Sequence, residues 1–405
     1  CASGSDGSWG PGAIVAQGRH ALRLQHERVR CDAVEALAGR APAAATLLMA
    51  GFQLRQDDEA WEDWLAEQRE RLAPAAPQGA PAPQLPSDPE AQADYLQGRF
   101  HWTRRPRESF KALAALERAV QRAPDFAPAH AALADVYNTL GSWESGALSP
   151  RDAFPKAHAA ARRALQLDPC CAAAHTALAY ATAHYDWRWD LAGAQFAQAL
   201  AIDPGYAHAH HWQAHWLVAQ GRFSEALAAG RRALALQPAD VIIHVHLAWH
   251  HWIAREPLAA IAQAERTAYL DETDHWPPFF RGLACVQCGR SDEAVGALRE
   301  SCALSRGNAV MRAGLGYVYA AVGDCRSARA VLSEFDEAAE RQQRFAYEAA
   351  VIRAALGEAD AAFERLIAAV AGRSAWIAYL GVDPRLDPLR GDPRFEALAA
   401  RAGLG

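Results

Sequence analysis

The chain has 405 residues, 51% apolar and 22% charged, with a formal net charge of -6. That much apolar side chain excludes wholesale disorder, and at roughly 100–200 residues per domain the length fits two or three domains. No window approaches the ~18 consecutive apolar residues of a membrane helix, and no long basic run offers a grip on nucleic-acid phosphates.

The first readable element is a hairpin. Residues 13–17 and 21–24 are short apolar runs around the polar turn Gly18-Arg19-His20, a signal for two antiparallel strands. Residues 28–32 then lead into a short helix over 33–38. Residues 58–72 (DEAWEDWLAEQRERL) place Trp61, Trp64, Leu65 and Leu72 on one face and charge on the other, which predicts an amphipathic helix. Six prolines between residues 73 and 89 exclude helix and central strand, and predict a semi-rigid linker. Eight cysteines, at 1, 31, 170, 171, 285, 288, 302 and 325, are too scattered for a disulfide framework. A reducing, cytoplasmic setting is therefore expected.

This succession resembles the antibiotic-regulatory-protein class of bacterial transcriptional activators. There a winged helix-turn-helix domain ends in a β-hairpin wing, and a bacterial transcriptional activator domain of helical hairpins follows. The matching residues are GPGAIVAQGRHALRL, the junction RVRCD, and MAGFQL ahead of WEDWLAEQRERL. The resemblance makes residues 1–31 a winged-helix remnant and residues 32–72 a short activator-like segment. It places Arg19, His20 and Arg23 on a wing that touches the DNA backbone, with the DNA-recognition helices missing from this chain.

From residue 90 to 375 the chain repeats itself. Ala192, Ala226, Ala260, Ala294, Ala328 and Ala362 are spaced by 34 residues every time, and Gly221, Gly289, Gly323 and Gly357 stand five residues before four of them. Pro204 and Pro238 follow Ala192 and Ala226 by 12 residues, as Pro124 follows Ala112 and Pro169 follows Ala157. The glycine supplies a left-handed turn after a first helix, the alanine a close helix crossing, and the proline a stop. The pattern resembles the tetratricopeptide repeat (TPR). It is plain in Leu315-Gly316, Tyr319, Gly323 and Ala328, and again in Ala214, Leu217, Gly221, Ala226, Ala233 and Pro238.

About eight repeats fit between residues 93 and 372. An insertion at 141–152 stretches the second, and the fifth has Arg255 for the turn glycine and Glu272 for the last proline. The expected fold is all-α, a right-handed α-solenoid with a small N-terminal β-hairpin and helical segment. Residues 376–405 carry Asp-Pro turns ahead of an amphipathic helix. With YLQGRFHWTRR at 95–105 and the stretch 184–212, they resemble the capped arrays found behind winged-helix domains in transmembrane-sensor-like regulators, in adenylate cyclases and in some bacterial protein kinases.

Histidine gathers in the first helices of repeats four and five, at His208, His210, His211, His215, His244, His246, His250 and His251. In this repeat type positions 2, 5, 9 and 12 of the first helix line the concave groove. They are His208, His211, His215 and Val218 in repeat four, and Ile242, Val245, Trp249 and Trp252 in repeat five. Imidazoles beside indoles suit an extended peptide or an aromatic effector. The plainer alternative makes them packing residues of tightly stacked helices. His211/His215 and His246/His250 have metal-pair spacing, but no carboxylate or cysteine completes a set, so neither metal nor cofactor is expected.

Cys285 and Cys288 lack a second close pair and read as small hydrophobes. Arg104, Arg105 and Arg107 read as a solvated turn. No phosphate loop, nucleophile elbow or kinase signature occurs, and the chain is expected not to be an enzyme. The functional expectation is the sensory and protein-interaction region of a bacterial transcriptional regulator. Its groove binds a protein or peptide partner or an effector, DNA is reached only through the incomplete winged domain, and nothing spans a membrane. The alternatives are a lipid-anchored periplasmic scaffold, with Cys1 lipidated, and an assembly module without effector.

Overall fold

A computed structural model describes residues 14–16, 22–24, 85–105, 107–143, 147–342 and 345–404, with backbone alone at 14–16, 22–24 and 337–342. The chain divides into two compact units, residues 1–79 with 235–239 and residues 80–234 with 240–405. In the first, strand β1 (Ile14–Ala16) pairs antiparallel with β2 (Leu22–Leu24), with Ile14 opposite Leu24 and Val15 opposite Arg23. The expected hairpin is present with slightly shorter strands. The helix expected at 58–72, the activator-like segment and most of the proline linker lie outside the described residues.

The second unit is a tetratricopeptide α-solenoid of eight helix pairs among the described residues. The first two pairs are α1 (Pro89–Trp102) with α2 (Ser109–Arg122), and α3 (Ala127–Gly141) with α4 (Pro150–Leu167). In the third, α5 (Ala172–Ala181) runs into a π turn (Thr182–Asp186) before α6 (Trp189–Ile202). The fourth and fifth are α7 (Ala207–Ala219) with α8 (Phe223–Leu236), and α9 (Val241–Ile253) with α10 (Pro257–Leu270). The sixth is α11 (Trp276–Gln287) with α12 (Ser291–Leu304), and the seventh α13 (Ala309–Ala321) with α14 (Cys325–Gln342). The last is α15 (Ala346–Ala355) with α16 (Ala359–Ala371). Two 3₁₀ turns, Ala375–Tyr379 and Pro384–Leu389, and the terminal α17 (Pro393–Arg401) complete the chain.

The repeat signature has the physical roles its spacing implied. All six alanines at 34-residue steps are fully buried. At the crossing of α11 and α12, a Cβ added to Gly282 would lie 1.9 Å from a Leu298 methyl and 3.0 Å from the Ala294 carbonyl. The residues five before the alanines are left-handed in every repeat from the third, including Trp187 (φ 59°) and Arg255 (φ 64°), where no glycine stands. Histidine at a fixed place ties successive repeats together. The Nε2 atoms of His130, His175 and His210 each lie 3.0 Å from the carbonyl of a proline six residues earlier, Pro124, Pro169 and Pro204.

Candidate functional site

Helices α7 and α9 are buried along most of their length, and their inward side chains meet. His211 and His215 are one turn apart on α7. The repeat stagger brings His246 of α9 against both: its Nδ1 lies 2.6 Å from His211 Nε2 and 3.0 Å from His215 Nε2. The three candidate ligand nitrogens lie within 4.8 Å of one another. Trp212 stacks on His211 at 4.3 Å, and His250 approaches His215 edge-on at 4.9 Å. Above them the π turn presents His184, whose Nε2 is 2.7 Å from the Tyr379 hydroxyl. That hydroxyl also lies 3.2 Å from His215 Nδ1.

The rest of this inner face is covered by two segments of the same unit. Trp143, from the insertion in repeat two, stacks on Trp376 at 4.5 Å and meets Trp249 at 5.4 Å and Trp276 at 5.3 Å. The two 3₁₀ turns after α16 contribute Trp376, Tyr379 and Arg385. Tyr379 packs edge-on against Trp249 at 4.8 Å, and the Arg385 guanidinium lies 4.5 Å over Trp376 and 5.6 Å over Trp252. Arg385 donates to both Asp383 oxygens, from Nε to Oδ1 at 3.0 Å and from Nη2 to Oδ2 at 2.7 Å, and Asp383 also accepts from the Tyr347 hydroxyl at 2.8 Å. A cation under indole, paired with a buried carboxylate, satisfies its charge and its donors together.

Electrostatically the interior favours neutral imidazole. Burial, reinforced by neighbouring histidines, holds His211, His215 and His250 well below the usual imidazole range. Burial and then the Arg105 charge push His208 down to about 3. Desolvation raises the buried Asp135 to about 7, although Arg99 and Arg105 draw it back.

The structure gathers the groove residues but makes them an interior. His208, His211, His215, Trp249 and Trp252 are 0–4% exposed. The open groove expected there is corrected to one filled by the chain itself, because the C-terminal segment and Trp143 occupy it. His208 is turned aside, edge-on to Trp102 at 4.6 Å. Arg104 and Arg107 are exposed, as a solvated turn requires, and the reading is corrected for Arg105 alone. Arg105 is buried, 4.0 Å over Trp102 and 3.7 Å from Asp240, and Arg107 donates to the Thr273 carbonyl. Cys285 is buried and Cys288 partly so. Arg23 falls in β2, while Arg19 and His20 lie outside the described residues.

Sequence reasoning missed Trp143, His184, Trp376 and Tyr379. The available signal was an unexplained tryptophan in a polar insertion and aromatic residues in a tail of turns.

No family model and no curated protein matches the chain. Solved structures do resemble it. The human IFIT1 dimer with PPP-AAAA is 14% identical with a TM-score of 0.53, covering 76% of this chain and 73% of that one. The Cut9 and Hcn1 hetero-tetramer of APC/C is 14% identical at 0.51, covering 77% and 54%. PilW, a widely conserved type IV pilus biogenesis factor, is 20% identical at 0.42, covering 56% and 98%. These likenesses are of fold. No helix among the described residues is long and apolar enough to cross a membrane.

Proposed function

We propose that this chain is a protein-interaction scaffold, and that it serves in the cytoplasm as the sensory region of a bacterial transcriptional regulator. A partner or effector gains the inner face of repeats four and five by competing with the C-terminal segment. The observation that carries the interaction reading is how that face is filled. Tyr379 and Arg385 lie against α7 and α9, and Trp376 against Trp143 and Tyr347, as an aromatic peptide would lie in a helical groove. The segment is built of turns and makes no repeat of its own. Support for the regulatory role is the hairpin and the residues after it, and the role involves no catalysis.

A labelled peptide spanning residues 373–391 tests the competition. The double variant Trp376→Ala/Tyr379→Ala captures it and the wild type excludes it; exclusion by both would sink the reading. The reading frame upstream of the Cys1 codon tests the regulator. A further ~60–100 residues with a helix-turn-helix support it. A basic stretch, an apolar run and small residues before Cys1 make the chain a lipid-anchored scaffold instead.

A further inference from the structure

The hydrogen bonds around His215 fix its tautomer. A carbonyl only accepts, so His184 Nδ1, 2.9 Å from the Tyr180 carbonyl, carries its proton there. His184 Nε2 of the neutral ring is then an acceptor and takes the Tyr379 hydroxyl proton at 2.7 Å. The Tyr379 oxygen in turn accepts from His215 Nδ1 at 3.2 Å. This chain leaves the lone pair of His215 on Nε2, aimed at His246 Nδ1.

That nitrogen is also 2.6 Å from His211 Nε2. A ring nitrogen has one lone pair or one proton, so His246 Nδ1 forms one linear hydrogen bond and not two. If it donates to His215, the 2.6 Å contact with His211 is left unsatisfied. His211 Nδ1 has no hydrogen-bond partner either. Three buried nitrogens thus converge on one point that protons alone serve poorly, and a single cation serves all three lone pairs.

We propose that His211, His215 and His246 form a three-imidazole site for one late first-row divalent metal ion, of the zinc or cobalt class. Three neutral nitrogens suit such borderline ions and not magnesium or calcium, which need oxygen. Tetrahedral ligation at about 2.0–2.1 Å sets nitrogens about 3.3 Å apart, so on binding the 2.6 and 3.0 Å contacts open by less than about 1 Å and the third spacing, within 4.8 Å, closes by at most about 1.5 Å. Tyr379 is the positioning residue, because its hydroxyl holds His215 Nε2 in the ligating state. The ion ties repeats four and five directly and the C-terminal segment through Tyr379, whether or not a partner competes for that face.

Full-chain protein, stripped with chelator and dialysed, is titrated with Co²⁺ alone. The expected result is one saturable equivalent with the visible bands of tetrahedral cobalt and no thiolate charge-transfer band. Absence of saturable binding, or a thiolate band, overturns the site. His246→Gln lowers the affinity by about 100-fold or more, while His210→Gln, outside the cluster, leaves it unchanged; equal losses in the two overturn it. Should His246→Gln fail to fold, X-ray absorption on the Zn²⁺-loaded wild type decides. Three imidazole nitrogens at about 2.0–2.1 Å support the site, and fewer than three, or any sulfur, overturn it.

Discussion

Arg255 holds the left-handed turn that glycine supplies at the same place in four other repeats. An L-residue there costs about 1–2 kcal/mol, and its exposed ion pair with Asp387 returns less than about 1 kcal/mol. Arg255→Gly is therefore expected to raise stability by about 0.5–1 kcal/mol, read as a higher urea midpoint. Asp135 gives a pH-dependent counterpart. Its folded-state pKa is raised from 3.8 to about 7, so the folded chain holds a proton that the unfolded chain has released. Stability from this group is complete below about pH 4 and is lost as pH rises through 7. The advantage of Asp135→Asn over wild type should grow by about 1.4 kcal/mol per pH unit between pH 4 and 7. Urea titrations at pH 4, 5.5 and 7 read it, and a pH-independent difference would refute the burial-driven shift. His275 has the opposite sign: burial, then the Arg107 charge, lower it to about 4, so its contribution is lost as pH falls from 6.5.

Among the elements, the helix pairs were legible in the sequence because their determinants are local. Alanine at a crossing and glycine at a turn recur every 34 residues whatever surrounds them. The contacts of the tail were not legible, since Trp376 and Trp143 are separated by most of the array and share no period. His246 illustrates the intermediate case. In strict repeat register it corresponds to Trp212, so periodicity set it beside the groove positions and not among them. The offset between neighbouring first helices then brings it against His211 and His215. The C-terminal segment therefore acts as part of the core as well as a cap. Trp376→Ala removes a buried indole stacked on Trp143 and lying under Arg385, and is expected to cost about 3–5 kcal/mol. Denaturant unfolding monitored by circular dichroism gives the value. A loss under 1 kcal/mol would mean the segment only rests on the array.

At the scale of the molecule, the solenoid's repeats carry contacts that skip their neighbours. Arg373 donates to the Tyr185 carbonyl at 2.7 Å and stacks over Trp187 at 4.1 Å, joining the end of α16 to the third repeat. Trp189 donates to the Ala402 carbonyl at 3.1 Å, and Arg151 to the Ala371 carbonyl at 2.6 Å. A simple array unfolds by nearest-neighbour steps, whereas links of this kind make distant repeats unfold together. Hydrogen exchange read by mass spectrometry tests this self-closure most directly. With the inner face closed as described, amides of residues 375–389 exchange as slowly as those of α7 and α9, and all three slow segments open in one cooperative step. Exchange of residues 375–389 within seconds, while α7 and α9 stay protected, would contradict it.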